Sequence, residues 1–247
     1  MPVNLGARPQ NSKGLPPLRC FNMNLLSLAA VTVLLTGCAS TLKMPLQSGG
    51  DSANSAGKTI YLMSVTLTNS CRDHFTPYLN TVLVTKNDGG AKPEVLTFKM
   101  DSKGAHYFDE SDAPPRFLAR FELAPGSYSF LGLSSTASGF PIRANFFTPL
   151  HAAVPAATGG VVYVGSVNAN VRERKGNEFK AGPSIPLIDQ AVACASSGTF
   201  DVDIKDAFES DVALFEETFP QLKGVKVSKT ILPPFDRAKA QEWWEAN

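Results

Sequence analysis

Histidine is the side chain that most readily moves a proton near neutral pH, and this chain has three: His74, His106 and His151. None lies in an H-x-x-x-H or H-E-x-x-H pattern, and no G-x-S-x-G elbow or G-x-x-x-x-G-K loop occurs. Cys71-Arg72-Asp73-His74 gathers reactive types in one tetrapeptide. Hydrolases, however, bring nucleophile and base together through the fold rather than by adjacency. Cys71 and His74 have the spacing of half a zinc site, but no second ligand pair follows, so no metal is expected. The acidic stretch Asp201-Val202-Asp203, Asp206, Glu209 and Asp211 lacks the glycine a calcium loop needs. Its charges suit helix capping and solvation. No catalytic residue and no cofactor is therefore expected.

Bulk charge adds little. The formal net charge is +1, which does not point to nucleic acid. Residues 1–37 hold three basic residues, Arg8, Lys13 and Arg19, and no acidic one. An apolar run follows from Leu25 to Leu35, well short of the ~20 residues that cross a bilayer. Its length suits the core of a secretion signal. Translation from Met1 supplies the basic residues, whereas translation from Met23 leaves none ahead of the run.

The run ends in Leu35-Thr36-Gly37-Cys38, which resembles the lipobox of bacterial lipoproteins. The resemblance implies that a diacylglycerol is added to the Cys38 thiol and that a peptidase then cuts before it. Small residues ahead of the cysteine suit that cleft. Acylation of the new amine gives an anchor that holds, at ~0.8 kcal/mol per buried methylene. Ala39, not Asp, follows the cysteine, which by the same resemblance directs the protein to the periplasmic face of the outer membrane. With Cys20 removed and Cys38 lipidated, Cys71 and Cys194 remain as a candidate disulfide in an oxidising compartment, with two free thiols as the other reading.

The elements that must carry these residues read mostly as strands. Residues 38–58 are rich in Ser, Ala and Gly and are expected to be a flexible tether. One domain is expected over 59–247. Ile60–Asn69, Asn80–Lys86, Val95–Met100, Arg116–Leu123 and Ser127–Leu133 have strand character. In Arg116–Leu123 the residues Phe117, Ala119, Phe121 and Leu123 share one face, with Arg120 and Glu122 opposite. In Val161–Arg172 one face carries Val161, Tyr163, Gly165, Val167, Ala169 and Val171. The other face starts apolar and turns polar at Ser166, so one end is expected to be covered on both sides. Lys175-Gly176-Asn177 reads as a hairpin turn.

Phe208, Val212, Phe215 and Phe219 then form a helix stripe, with Asp206 and Glu209 placed as a capping box. A short strand at Val225–Leu232 and a last helix carrying Trp243 and Trp244, capped by Asp236, follow. This order predicts a mainly β fold, an antiparallel β-sandwich with one or two C-terminal helices packed on it. Leu123-Ala124-Pro125-Gly126-Ser127-Tyr128 resembles the turn of transthyretin-like and carboxypeptidase-regulatory-like sandwiches, with Tyr128 entering the core on the return strand of a hairpin.

Three functions fit this reading. The first is a lipid-anchored, non-enzymatic envelope module that binds a protein or glycan. The second is a periplasmic hydrolase in which folding brings His74, His106 or His151 to a carboxylate. The third is a carrier with an apolar pocket lined by Phe130, Phe146 and Phe147.

Overall fold

Alternating apolar residues are driven out of water, and the chain buries them by laying two sheets face to face. The computed structural model describes residues 41–47, 49, 51–53, 57–87, 89, 93–106, 113–183 and 190–247. The first sheet holds, in spatial order, β1 (Thr41–Lys43), β4 (Glu94–Lys99), β3 (Tyr78–Lys86), β7 (Tyr128–Gly139) and β8 (Ile142–Ala153). The second holds β10 (Gly198–Lys205), β9 (Gly160–Glu173), β2 (Thr59–Asn69), β6 (Arg116–Leu123) and β5 (Ala105–His106), with β11 (Val227–Lys229) beside β9. Helices α1 (Phe208–Thr218) and α2 (Arg237–Ala246) complete it. The expected β-sandwich with helices is present.

Its pairing is mixed rather than wholly antiparallel. β1 runs parallel to β4, β11 parallel to β9, and β2 parallel to β9. No tight turn joins β2 to β9, so nothing local imposes the antiparallel sense. The strands define two ends. The base gathers the start of β2 and β9, the β3–β4 turn, residues 124–127 and the end of β8. The crown gathers the end of β2 and β9 and the β7–β8 turn.

Between the sheets lies the main core, fed by Tyr61, Met63, Val65 and Leu67 of β2 and by Phe117, Ala119, Phe121 and Leu123 of β6. Phe130 and Phe146 are buried in it, and Phe121 meets Phe130 edge to face at 5.1 Å. They pack as core, not as walls of an apolar pocket. Leu123 to Tyr128 is a turn, and Tyr128 is buried as expected. The turn is no hairpin, because β6 and β7 belong to different sheets. It carries the chain across the sandwich. Lys175–Asn177 likewise does not lead directly back, since β10 begins only at Gly198.

One strand changes face halfway. Val162 and Val164 point into the main core, yet so do Val167, Ala169 and Val171. Val161 and Tyr163 point outward. The register against β2 jumps between Leu62 and Met63, where Tyr163 and Gly165 are the successive partners and Val164 is the extra residue. This is a β-bulge, and Gly165 at φ +122° supplies a backbone conformation that a side chain would oppose. The expected single face for this strand is corrected accordingly. The expected double coverage at its start holds: Val161–Val164 are buried on both sides.

The outer cover is α1. Phe215 and Phe219 lie with Ile60, Leu62, Leu118, Val161 and Tyr163 in a second core on the outside of the second sheet. α1 begins one residue later than the capping-box reading has it: Asp206 accepts from the Phe208 N–H at 3.0 Å, and Ala207 occupies the cap position. Asp236 does cap α2, accepting from the Lys239 N–H at 3.0 Å.

The tether expected over 38–58 is, where described, part of the fold. Met44, Leu46 and Ala53 are buried, and β1 pairs with β4. Arg120 explains why. Read on the face opposite Phe117, Ala119, Phe121 and Leu123, it is fully buried beneath this strap. Its Nε donates to the Pro45 carbonyl at 2.8 Å and its Nη1 to the Leu118 carbonyl at 2.9 Å. Its Nη2 pairs with Asp101, and its guanidinium lies 3.9 Å from the Phe219 ring centroid. Burial pushes the guanidinium pKa down, and the Asp101 charge opposes that.

α2 is latched by charge. Arg172 grips Glu178 with both terminal nitrogens, at 2.6 and 2.8 Å, and reaches Asp201 through Nε at 2.8 Å. Arg237 of α2 reaches the same Asp201 at 2.5 Å and the Phe200 carbonyl at 2.5 Å. The Arg172 hydrogen bonds hold the Glu178 carboxyl down to about 2, against 4.5 for a free glutamate. Its stabilisation is therefore complete above about pH 4.5 and is lost as pH falls through about 2. Thermal melts across this window are expected to show a steeper acid decline for the native protein than for Glu178→Gln.

Candidate functional site

α1 covers only the base half of the second sheet's outer face. Past the bulge, period-two geometry turns Thr66 and Thr68 of β2, Asn168, Asn170 and Arg172 of β9, and Asp201, Asp203 and Lys205 of β10 toward solvent, with Ser70 just beyond the end of β2. The polar face read from Asn168, Asn170 and Arg172 is thus part of a three-strand polar surface. Two clefts lie on it, of about 440 and 550 Å³. They share Thr68 and Asn170, so they form one trough. The larger is closed on one side by Pro114 and Pro115 and reaches Asp73 and Thr76 at the crown.

The trough floor is stiffened from within. Thr68 Oγ1 donates to Asn170 Oδ1 at 2.9 Å, and Asn170 Nδ2 donates to Ser70 Oγ at 2.9 Å. Its charges are paired, Asp201 with Arg172 and Arg237 and Asp203 with Lys205 at 2.8 Å. A rigid row of hydroxyl, amide and paired charged groups suits a ligand read by many hydrogen bonds. Among the described residues, no group of three or more His, Cys, Asp and Glu side chains is placed to hold a metal ion.

Cys71 and Cys194 meet at the crown rim, with sulfurs at bonding distance and Cα atoms 6.2 Å apart. Asn69 backs this junction: its Nδ2 donates to the carbonyls of Phe75 and Ala193 at 2.9 and 3.1 Å, and its Oδ1 accepts from the Arg72 N–H. The pair disposes of Cys71 as a partner for His74, which is exposed beside Asp73 at 3.7 Å. Cys38 lies outside the described residues.

His106 sits on β5. His151, at φ +47° near the end of β8, lines a cleft of about 300 Å³ with Leu150, Ile204, Pro234, Phe235 and Asp236. Its Nε2 is buried without a hydrogen-bond partner, and its ring lies 5.0 Å from that of Trp243. Burial, then the Lys239 ammonium, lowers its pKa. One histidine and one carboxylate thus share a cleft, but Asp236 is engaged in capping α2 and Lys239 Nζ donates to the His151 carbonyl at 2.7 Å. Trp243 also packs on Phe147 at 5.1 Å.

A tighter polar cluster escaped sequence reasoning. Asp211, taken as a solvated charge, is fully buried beneath α1. It accepts from Ser64 Oγ at 2.5 Å and from the Tyr163 hydroxyl at 2.6 Å, and it pairs with Arg116 at 3.3 Å. Burial, then Asp211, pushes the Tyr163 pKa up, which keeps it a donor. Ser64 and Tyr163 are also fully buried, so substrate has no path to them and the cluster reads as structural. The only sequence signal was its place one turn before Phe215 on the apolar stripe.

Compared with known proteins, the chain matches no family model, no curated protein and no solved structure.

Proposed function

We propose that this protein is a lipid-anchored module of the bacterial cell envelope, held at the periplasmic face of the outer membrane, that acts by binding a glycan or protein partner rather than by catalysis. The observation that carries this reading is Leu35-Thr36-Gly37-Cys38 at the end of an apolar run, directly ahead of a folded sandwich. The polar trough supports the binding half, since its charged side chains are paired with one another. A Cys71–Cys194 disulfide belongs to the same reading, because an oxidising compartment closes cysteines so placed. None of the described helices is long and apolar enough to cross a membrane.

Intact-mass spectrometry of the membrane-extracted protein tests it, with Cys38→Ser as control. The expected chain starts at Cys38, carries acyl mass lost in the control, and alkylates at Cys71 and Cys194 only after reduction. An unmodified chain starting elsewhere sinks the reading. The cleft at His151 favours a second one, a hydrolase or small-ligand carrier, because a histidine lines it beside Leu150, Ile204, Pro234 and Phe235. Turnover of envelope material abolished by His151→Gln would move the conclusion to it.

A further inference from the structure

The segment after β11 explains why a cleft opens beside His151. Thr230 and Leu232 donate their N–H groups to the carbonyls of Tyr163 and Val164 at 3.0 and 2.9 Å, which extends the ladder along β9. Pro233 and Pro234 have no N–H to carry it further, so the chain leaves the sheet there and turns into α2. The gap that remains lies between the end of β8 in the first sheet, Ile204 of β10 in the second, and the start of α2. At about 300 Å³ it stands at the small end of ligand sites, which run ~300–1,000 Å³.

Its walls and its mouth differ in chemistry. Leu150, Ile204, Pro234 and Phe235 supply apolar surface, whereas Asp236 and Lys239, both exposed, bring one charge of each sign. In the trough opposite charges are paired with one another. Here they are not. Lys239 Nζ gives one proton to the His151 carbonyl at 2.7 Å, and Asp236 Oδ1 accepts the Lys239 N–H at 3.0 Å. Two ammonium protons and the second carboxylate oxygen have no partner among the described residues. The mouth is also fixed in place. His151 is held at φ +47°, a conformation that persists only where its surroundings impose it, and α2 grips it through Lys239 on the carbonyl and Trp243 at 5.0 Å from the ring.

We propose that this cleft binds a small zwitterion with an apolar side chain, an apolar amino acid being the simplest. Its carboxylate meets Lys239, its ammonium meets Asp236, and its side chain lies against Ile204, Pro234 and Phe235. A simple carboxylate would meet Asp236 as a like charge, and a simple amine would meet Lys239 so. The proposal rests on the small-ligand part of the second reading and needs no lipid on Cys38.

Calorimetric titration of the full chain in detergent micelles tests it with three probes: leucine, isocaproate, which lacks the ammonium, and isoamylamine, which lacks the carboxylate. Leucine is expected to bind about tenfold more tightly than either, the worth of one charge-assisted contact. Lys239→Gln is expected to bring leucine down to isoamylamine. Asp236→Asn, which still caps α2, is expected to bring it down to isocaproate. Ala153→Trp, at an exposed position lining the cleft, is expected to abolish binding while the chain stays folded. Equal affinity for all three probes overturns the zwitterion and leaves a small-ligand site standing. Leucine binding that survives Ala153→Trp and both charge variants overturns the site. Absence of saturable heat from every probe at millimolar concentration overturns the proposal outright and leaves the envelope reading to its own test.

Discussion

Asp211→Ala is expected to lower the unfolding free energy by about 2–6 kcal/mol, because two buried hydroxyl donors each lose their acceptor at about 1–3 kcal/mol. Against a typical total of ~5–15 kcal/mol this brings the protein near the threshold of folding. The substitution leaves Ser64 Oγ and the Tyr163 hydroxyl as buried donors without an acceptor, and it removes one partner of Arg116. Asp211→Asn keeps an acceptor oxygen and loses only the charge, so its loss should be smaller. Urea unfolding of the native protein, both variants, Tyr163→Phe and the double variant Asp211→Ala/Tyr163→Phe measures this directly. The double variant should lose less than the two single losses added together, because the removed hydroxyl no longer needs an acceptor. Strict additivity would show that Asp211 does not act through Tyr163.

Arg120→Ala is expected to cost a similar amount, about 3–5 kcal/mol, for a related reason. Three acceptors lie around the guanidinium on different sides: the Pro45 carbonyl, the Leu118 carbonyl and Asp101. All three lose their donor at once, and the Phe219 ring loses the cation stacked on it. Arg120→Lys should rescue little, because one ammonium on a flexible stem cannot reproduce a planar fork that serves three sides. Gly104 belongs to the same fit, since a Cβ there would lie 2.7 Å from Arg120 Nη1. The variant should also free the strap. Hydrogen exchange at Met44 and Leu46 is expected to rise in Arg120→Ala before the strands of the main core open. Unchanged protection of those amides would mean that apolar burial alone holds the strap down.

The two predictions concern buried charges, and they mark where local reasoning stops. Alternation in Arg116–Leu123 correctly assigned Phe117, Ala119, Phe121 and Leu123 to the core, because period two is a property of the strand alone. It could not show that the opposite face carries a second cover, under which Arg120 is buried and Asp211, read as solvated, is buried too. Their burial is set by Phe219, Pro45, Ser64 and Tyr163, all distant along the chain. The stretch after Cys38 was misread for the same reason. Its composition is that of a linker, and only the surface offered by β4 and Arg120 makes it a strap.

By itself the sequence determined what is local: the apolar run and the Leu35-Thr36-Gly37-Cys38 motif, the strand and helix periods, and the Asp236 cap. Each depends on neighbours a few residues away. The tertiary structure alone decided which face of β9 changes side at Gly165, which sheets β6 and β7 join, that Cys71 and Cys194 meet, and which polar half of the second sheet stays open. Those outcomes turn on contacts between segments tens of residues apart, whose free energy no local pattern encodes.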